Sequence, residues 1–218
     1  MMYPRFVPAL LIVLVTGACA GLGVTTPTDL YLLTPKSTFA RNLPNLGVQI
    51  VVEEPTASAA VNTNRIAVQP TPLQVQYVSE GRWVDRAPLI VQSLLIESFE
   101  NTGKVSSVGQ SAVGIRADYT VITDLREFQA QVISAEGDPT VLQVDVRLNI
   151  KVLEAYDDHI IASSSFEEAV ISVSDETPDI VKAFDEALGD AMRDAVEWTI
   201  RRVAAHSGKY PPRSASYE

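Results

Sequence analysis

From Gln143 to Val152 apolar and polar residues alternate without a break. Val144, Val146, Leu148, Ile150 and Val152 fall on one side, and Gln143, Asp145, Arg147, Asn149 and Lys151 on the other. Only a repeat of two gathers those five apolar side chains on one face. The segment therefore predicts a strand with a core on one side and water on the other. Ala117 to Ser134 reads as the strand before it, with Tyr119, Val121 and Leu125 sharing a face, and Gly137-Asp138-Pro139 supplies the turn between them. Asp157-Asp158 turns the chain again into Ile160 to Val173, where Ile160, Ala162, Ser164 and Phe166 share a face. Three consecutive strands with short turns predict an antiparallel meander. Shorter strands are expected upstream at Leu30–Leu33, Val48–Glu53, Arg65–Val68 and Gln74–Ser79.

A longer period marks two helices. Pro88 to Glu100 carries Val91, Leu94, Leu95 and Phe99 as its buried stripe; Pro88 suits its first turn and Asn101-Thr102-Gly103 closes it. Pro178 to Ala205 is longer, and Ile180, Phe184, Leu188, Ala191, Met192, Ala195 and Thr199 recur at the spacing of a helix lying on a sheet. Thr177 is its expected cap, Asp179 suits the positive end of its dipole, and Arg201 and Arg202 the negative end. One helix early, one late and a meander between them predict an α+β fold. We expect a two-layer sandwich, with a largely antiparallel sheet, a C-terminal meander and both helices on one face.

The N-terminus has a different pattern. An apolar run from Phe6 to Val15 follows a single charge, Arg5, and ends in Thr16-Gly17-Ala18-Cys19, which contains the only cysteine of the chain. A basic start, a short apolar middle and small residues at the end form the layout of a secretory signal. The run is shorter than the roughly 20 apolar residues a membrane-spanning helix needs. Small-small-Cys resembles the lipobox of bacterial lipoproteins, whose cysteine is acylated and becomes the new N-terminus; Thr16 stands where such signals usually carry Leu. The alternative is plain secretion with an unpaired cysteine. On this reading residues 1–18 are a signal peptide, 19–28 a linker after lipidated Cys19, 29–206 a single domain and 207–218 a disordered tail containing Pro211-Pro212.

Charge narrows the partners. The full chain carries a formal net charge of −10, and loss of Arg5 with the signal makes it −11. Nucleic acid needs clustered Lys and Arg, so it is not an expected partner. Membrane attachment must come from acyl chains rather than from attraction to anionic headgroups. A single cysteine allows no internal disulfide, so stability must come from an apolar core, which about 200 residues can build.

Signals for chemistry are weak. Gly109-Gln110-Ser111-Ala112-Val113-Gly114 approaches a nucleophile elbow around Ser111, but its closing glycine comes one residue late; a Gly/Ser loop explains it equally well. Gly103-Lys104 lacks the upstream glycine and the following Ser or Thr of a phosphate-binding loop. His159 and His206 have no partner at ligand spacing, so no metal site is expected. Glu53-Glu54, Asp157-Asp158 and Glu167-Glu168 read as solvated turns and strand ends. No catalytic residue is assigned. Two aromatics, Tyr77 and Trp83, are candidate partner-interface residues; for Trp83 packing at the strand–helix corner is the other reading. Trp198 reads as core or edge packing.

Taken in order, Tyr31-Leu32-Leu33, Asn64-Arg65-Ile66-Ala67, Tyr77 with Trp83-Val84-Asp85, Ala117-Asp118-Tyr119 with Phe128, Phe166, and Ala183-Phe184 with Ala187-Leu188 and Trp198 resemble the ABC-type transport auxiliary lipoprotein family. The resemblance runs from Asp29 to Val203 and rests on the ordered sum of these motifs plus the lipobox. It implies a non-catalytic outer-membrane lipoprotein facing the periplasm. Its implied partners are an MCE-type (mammalian-cell-entry) substrate-binding protein and, through it, an ABC permease and ATPase. It also implies phospholipid-like cargo and no cofactor beyond the covalent lipid on Cys19. A homo-oligomer is among the assemblies this allows. The competing readings are an outer-membrane assembly or cell-wall-synthase adaptor and, more remotely, a periplasmic serine hydrolase using Ser111.

Overall fold

The computed structural model describes residues 28–111, 116–134 and 140–209. The signal segment with Cys19, the linker before Thr28, the Gly137-Asp138-Pro139 turn and the chain beyond Lys209 lie outside these residues. In chain order the described elements are β1 (Asp29–Tyr31), β2 (Leu46–Val52), β3 (Thr56–Ala57), β4 (Arg65–Thr71), β5 (Gln74–Trp83), α1 (Ala87–Asn101), β6 (Val105–Gly109), β7 (Tyr119–Val132), β8 (Leu142–Glu154), β9 (His159–Ile171) and α2 (Thr177–Ser207). All nine strands join one open sheet, and α1 and α2 share its apolar core, which makes the α+β architecture expected from the pattern. β3 and β6 are additions. Thr56-Ala57 is too short to show a period, and Val105-Ser106-Ser107-Val108-Gly109 alternates too little to announce a strand.

β7 organises the sheet. One edge pairs antiparallel with β8 along its whole length, and β9 continues the meander beyond. The other edge serves three strands in succession, all parallel to it. Ile50–Val52 lie beside Tyr119–Val121, Thr56–Ala57 beside Asp124–Leu125, and Val68–Gln69 beside Ala130–Gln131. β6 extends the sheet beyond β2, while β5 and then β1 extend it beyond β4.

A bulge explains how so long a strand stays amphipathic. Leu125 pairs with Leu148 and Glu127 with Arg147, so Arg126 is an extra residue with no partner opposite. Before it the core face takes Tyr119, Val121 and Leu125; after it, Phe128 and Ala130, all at most 2% exposed. The alternation changes parity across Arg126. β9 bulges too: Leu153 pairs with Ile160 and Val152 with Ala162, which leaves Ile161 over. This corrects the expected face. Ile161 packs against the core, and Ile160 is 46% exposed instead of sharing a side with Ala162.

β8 buries Val144, Val146, Leu148, Ile150 and Val152 as the alternation requires. Its polar side is drier than expected. Asp145 is buried and Gln143, Arg147 and Asn149 are half-buried, because long side chains on the neighbouring strands, Glu127, Gln129 and Glu167, stand directly opposite them.

α1 ends where the sequence indicates. The Gly103 N–H reaches the Glu100 carbonyl at 2.9 Å, and Gly103 has φ of +59°, a left-handed conformation that glycine adopts without steric cost. The start of α2 differs. Glu176 occupies the cap position without a side-chain cap bond, and Thr177 lies inside the first turn, its methyl group turned toward Gly81 of β5. The helix also runs on to Ser207, so His206, rather than Arg201 or Arg202, is the basic residue of its last turn. Every residue of its predicted stripe is buried, and the stripe continues through Ile200 and Val203.

Candidate functional site

Trp83 is a core residue. It is 1% exposed, and its ring lies 5.7 Å from Phe128 of β7 and 5.2 Å from Phe184 of α2, with those two rings 4.8 Å apart. This removes it from any partner surface and supports the packing alternative. Two residues earlier, Gly81 faces the same way. A Cβ there would lie 2.8 Å from both Thr177 Cγ2 and Tyr31 Cε2, so the missing side chain is what lets β1 and the start of α2 close over β5. Tyr77 is half-buried. Its hydroxyl donates to the Ala60 carbonyl at 3.2 Å, and the Arg65 guanidinium stacks 3.8 Å from its ring centroid. Trp198 packs edge-on against Phe166 at 5.6 Å, as edge packing predicts.

The exposed apolar residues lie elsewhere. Leu73 and Val75 sit at the β4–β5 turn, Ile133 and Val141 at the β7–β8 end, and Ile171 and Val173 at the β9 end; Leu73 is fully exposed and Val173 is 84% exposed. The register brings them to one end of the sheet. The Ile133 N–H donates to the Val141 carbonyl, the Ser172 N–H to that of Leu142, and β4 runs parallel to β7 toward the same end. Sequence reasoning missed this surface because each residue lies just outside or at the margin of a strand, where no period marks it. A smaller apolar patch, Leu30, Leu32 and Val84, flanks the β1 edge.

Among the described residues, charged groups gather in two places that involve shifted carboxyls. On the helix-free face Arg147 pairs with Glu127 and lies 3.9 Å from Glu167. Burial pushes the Glu127 carboxyl up, Glu167 and Asp145 add to that, and Arg147 opposes it. On the α2 side Lys36 and Arg193 hold Asp190 at 2.7 and 2.8 Å. The hydrogen bond from Lys36, then the two cations, keeps the Asp190 carboxyl below its usual range despite burial. Across from it, burial together with Asp194 and Asp190 raises Glu168.

Ser111 is exposed just past β6, and the rest of its Gly-rich stretch, from Ala112 to Ile115, lies outside the described residues. His159 is exposed; His206 shares a 2.8 Å hydrogen bond with the Tyr119 hydroxyl. Burial, with Glu154 and Asp118 nearby, pushes that phenol up to about 12. Among the described residues no group of three or more His, Cys, Asp or Glu side chains could hold a metal ion, and no helix is long and apolar enough to cross a membrane. The helix-free face also bears a groove of about 410 Å³ between the β4–β5 hairpin and β7.

A family model described as the ABC-type transport auxiliary lipoprotein component matches residues 31–196, from the end of β1 well into α2. The crystal structure of protein XCC0632 from Xanthomonas campestris is similar at 28% identity and a TM-score of 0.76, over 83% of this chain and 99% of that one. A crystal structure of an uncharacterized protein, 10% identical, shares the fold with a TM-score of 0.59 over 82% of this chain and 99% of the other. An uncharacterized protein of Bradyrhizobium diazoefficiens is 27% identical over 164 residues, which cover 72% of this chain and 41% of the length of that relative.

Proposed function

Because the chain belongs to the ABC-type transport auxiliary lipoprotein family, we propose that it is the non-catalytic lipoprotein of an envelope lipid-transport system. Acyl chains on Cys19 hold it at the outer membrane, facing the periplasm. There it docks an MCE-type substrate-binding protein, and through it an ABC permease and ATPase, and helps pass on a phospholipid-like molecule. The match over residues 31–196 carries this reading. The exposed apolar end of the sheet, from Leu73 to Val173, supports it by offering a contact surface that the fold does not use itself. Energy for transport is then supplied by the ATPase partner, and this chain contributes place and contact.

The test is recovery of the native lipidated protein from detergent, with identification of co-purified proteins and lipid. An MCE-type protein in the eluate is the expected result. Recovery with a cell-wall synthase or an outer-membrane assembly component instead overturns the assignment.

A further inference from the structure

The β1 edge of the sheet has two unlike faces. Leu30 stands beside Arg82 and Tyr31 beside Trp83, and the Val84 N–H, donating to the Tyr31 carbonyl at 3.0 Å, carries the pairing one step further. Tyr31 and Trp83 turn toward the core. Alternation then sends Leu30, Leu32, Arg82 and Val84 to the other side, where Leu30 is 65%, Leu32 70% and Val84 49% exposed.

Two cations stand against these apolar side chains. Arg82 of β5 is in register with Arg65 of β4, and both are exposed. Neither makes an ion pair among the described residues. Arg65 lies over the Tyr77 ring, which leaves Arg82 pointing into solvent beside Leu30. Like charges opposite one another on paired strands are unfavourable, and an anion beside them relieves this. The carboxylates nearby, Asp29, Glu80 and Asp85, are also exposed, so the region is not positive overall. It suits a phosphate group met at close range, not a general attraction to an anionic surface.

Position along the chain supplies the occupant. Asp29 opens β1 only ten residues after Cys19. A flexible linker of that length spans about 17 Å on average and about 35 Å at full stretch. β7 alone, at 14 residues, runs about 45 Å. A tether shorter than the sheet holds the β1 edge against whatever surface carries the anchor. We propose that Leu30, Leu32 and Val84 form a membrane-contact surface, entering the headgroup region of a phospholipid bilayer while Arg82 donates to a lipid phosphate. The inference rests on the reading that Cys19 carries acyl chains. Three aliphatic side chains are too few to hold the domain on a bilayer by themselves, so their effect is to orient it. Leu73 precedes β5 and Val84 follows it, so the larger apolar end of the sheet is left facing away from the bilayer.

The test is photo-crosslinking of the native lipidated protein in phosphatidylcholine vesicles that contain a diazirine-bearing phospholipid, with adducts mapped by mass spectrometry. Adducts are expected on Leu30, Leu32 and Val84 at least about tenfold above those on Leu73 and Val173, which are more exposed and report chance encounter. Leu30→Ser combined with Leu32→Ser, both at exposed positions, should cut the Val84 adduct about tenfold. Arg82→Glu should also lower it, whereas Arg82→Lys should keep it. The same spectra read the acyl group on Cys19. Where that group is absent the anchor reading fails by itself, and coupling Cys19 to a maleimide lipid supplies the tether, so the surface is tested all the same. Equal adducts on Val84, Leu73 and Val173, or a Val84 adduct unchanged by the double substitution, overturn the proposal. A tethered chain without any Val84 adduct overturns it too, and leaves the patch to a protein partner.

Discussion

Trp83 and Phe184 meet edge to face with ring centroids 5.2 Å apart, which fastens the last residue of β5 to α2. With Phe128 they form the aromatic centre of the interface between sheet and helix. Trp83→Ala is expected to cost about 3–5 kcal/mol, as large aromatic deletions in cores do. Urea unfolding measures this, and a loss below about 1 kcal/mol would show that the ring is not packed as described.

Gly81 predicts a steric effect. Gly81→Ala drives a methyl group against Thr177 and Tyr31, and overpacking of this kind costs about 1–3 kcal/mol. Adding Thr177→Ser removes the Cγ2 and should restore part of that stability. If the double variant is no more stable than Gly81→Ala alone, the contact with Thr177 is not the cause.

Asp190 and Glu168 predict opposite responses to pH. The folded state holds the Asp190 carboxyl below its usual range, so it adds stability above the unfolded carboxylate range and loses it as pH falls through the lowered value. Asp190→Asn should therefore lower Tm at neutral pH, by about 0.2–1 kcal/mol in stability, with the difference closing in acid. Glu168 is raised by burial and by Asp194 and Asp190, so its ionised form costs stability above its folded value. Glu168→Gln should raise Tm at neutral pH, and the gain should vanish below the usual carboxylate range. Thermal melts across about pH 3 to 8 check both signs.

The apolar sheet end predicts separation of docking from folding. Leu73 is fully exposed and Val173 is 84% exposed, so Leu73→Asp and Val173→Asp should change stability by no more than about 0.5 kcal/mol. Both should reduce recovery of the proposed MCE-type partner. Unchanged recovery with both substitutions combined would move the docking surface elsewhere.

Cys19→Ser should leave the domain folded, release it from the membrane fraction and abolish its contribution to transport. Circular dichroism, fractionation and a transport assay read these separately. A variant still membrane-bound and active would remove the anchor from the proposed function.

The meander and both helices were legible because their periods are long and clean, as from Gln143 to Val152. What escaped was set by neighbours rather than by local pattern. The parity change at Arg126 and the exchange of Ile161 for Ile160 are bulges, and a bulge shows only when the partner strand is known. Thr177 reads as a cap from its type alone, but it is used against Gly81 instead. Trp83 at a strand end fits core and interface equally in sequence; Phe128 and Phe184, which decide it, are 45 and 101 residues away. The groove between the β4–β5 hairpin and β7 was illegible for the same reason, since Gln69 and Gln131, which line it, meet only through β4–β7 pairing.

The shared edge of β7 also dictates an order of assembly. The strands made before it fall into separate groups, β1-β5-β4, β2-β6 and β3 by itself, and among the described residues these join the same sheet only through β7. A ribosome delivers them first, yet they share no sheet until β7, which ends at Val132, has emerged. Pairings of such wide sequence separation carry a large loop-closure cost and form slowly. The first half of the chain is thus kept from premature completion by topology alone.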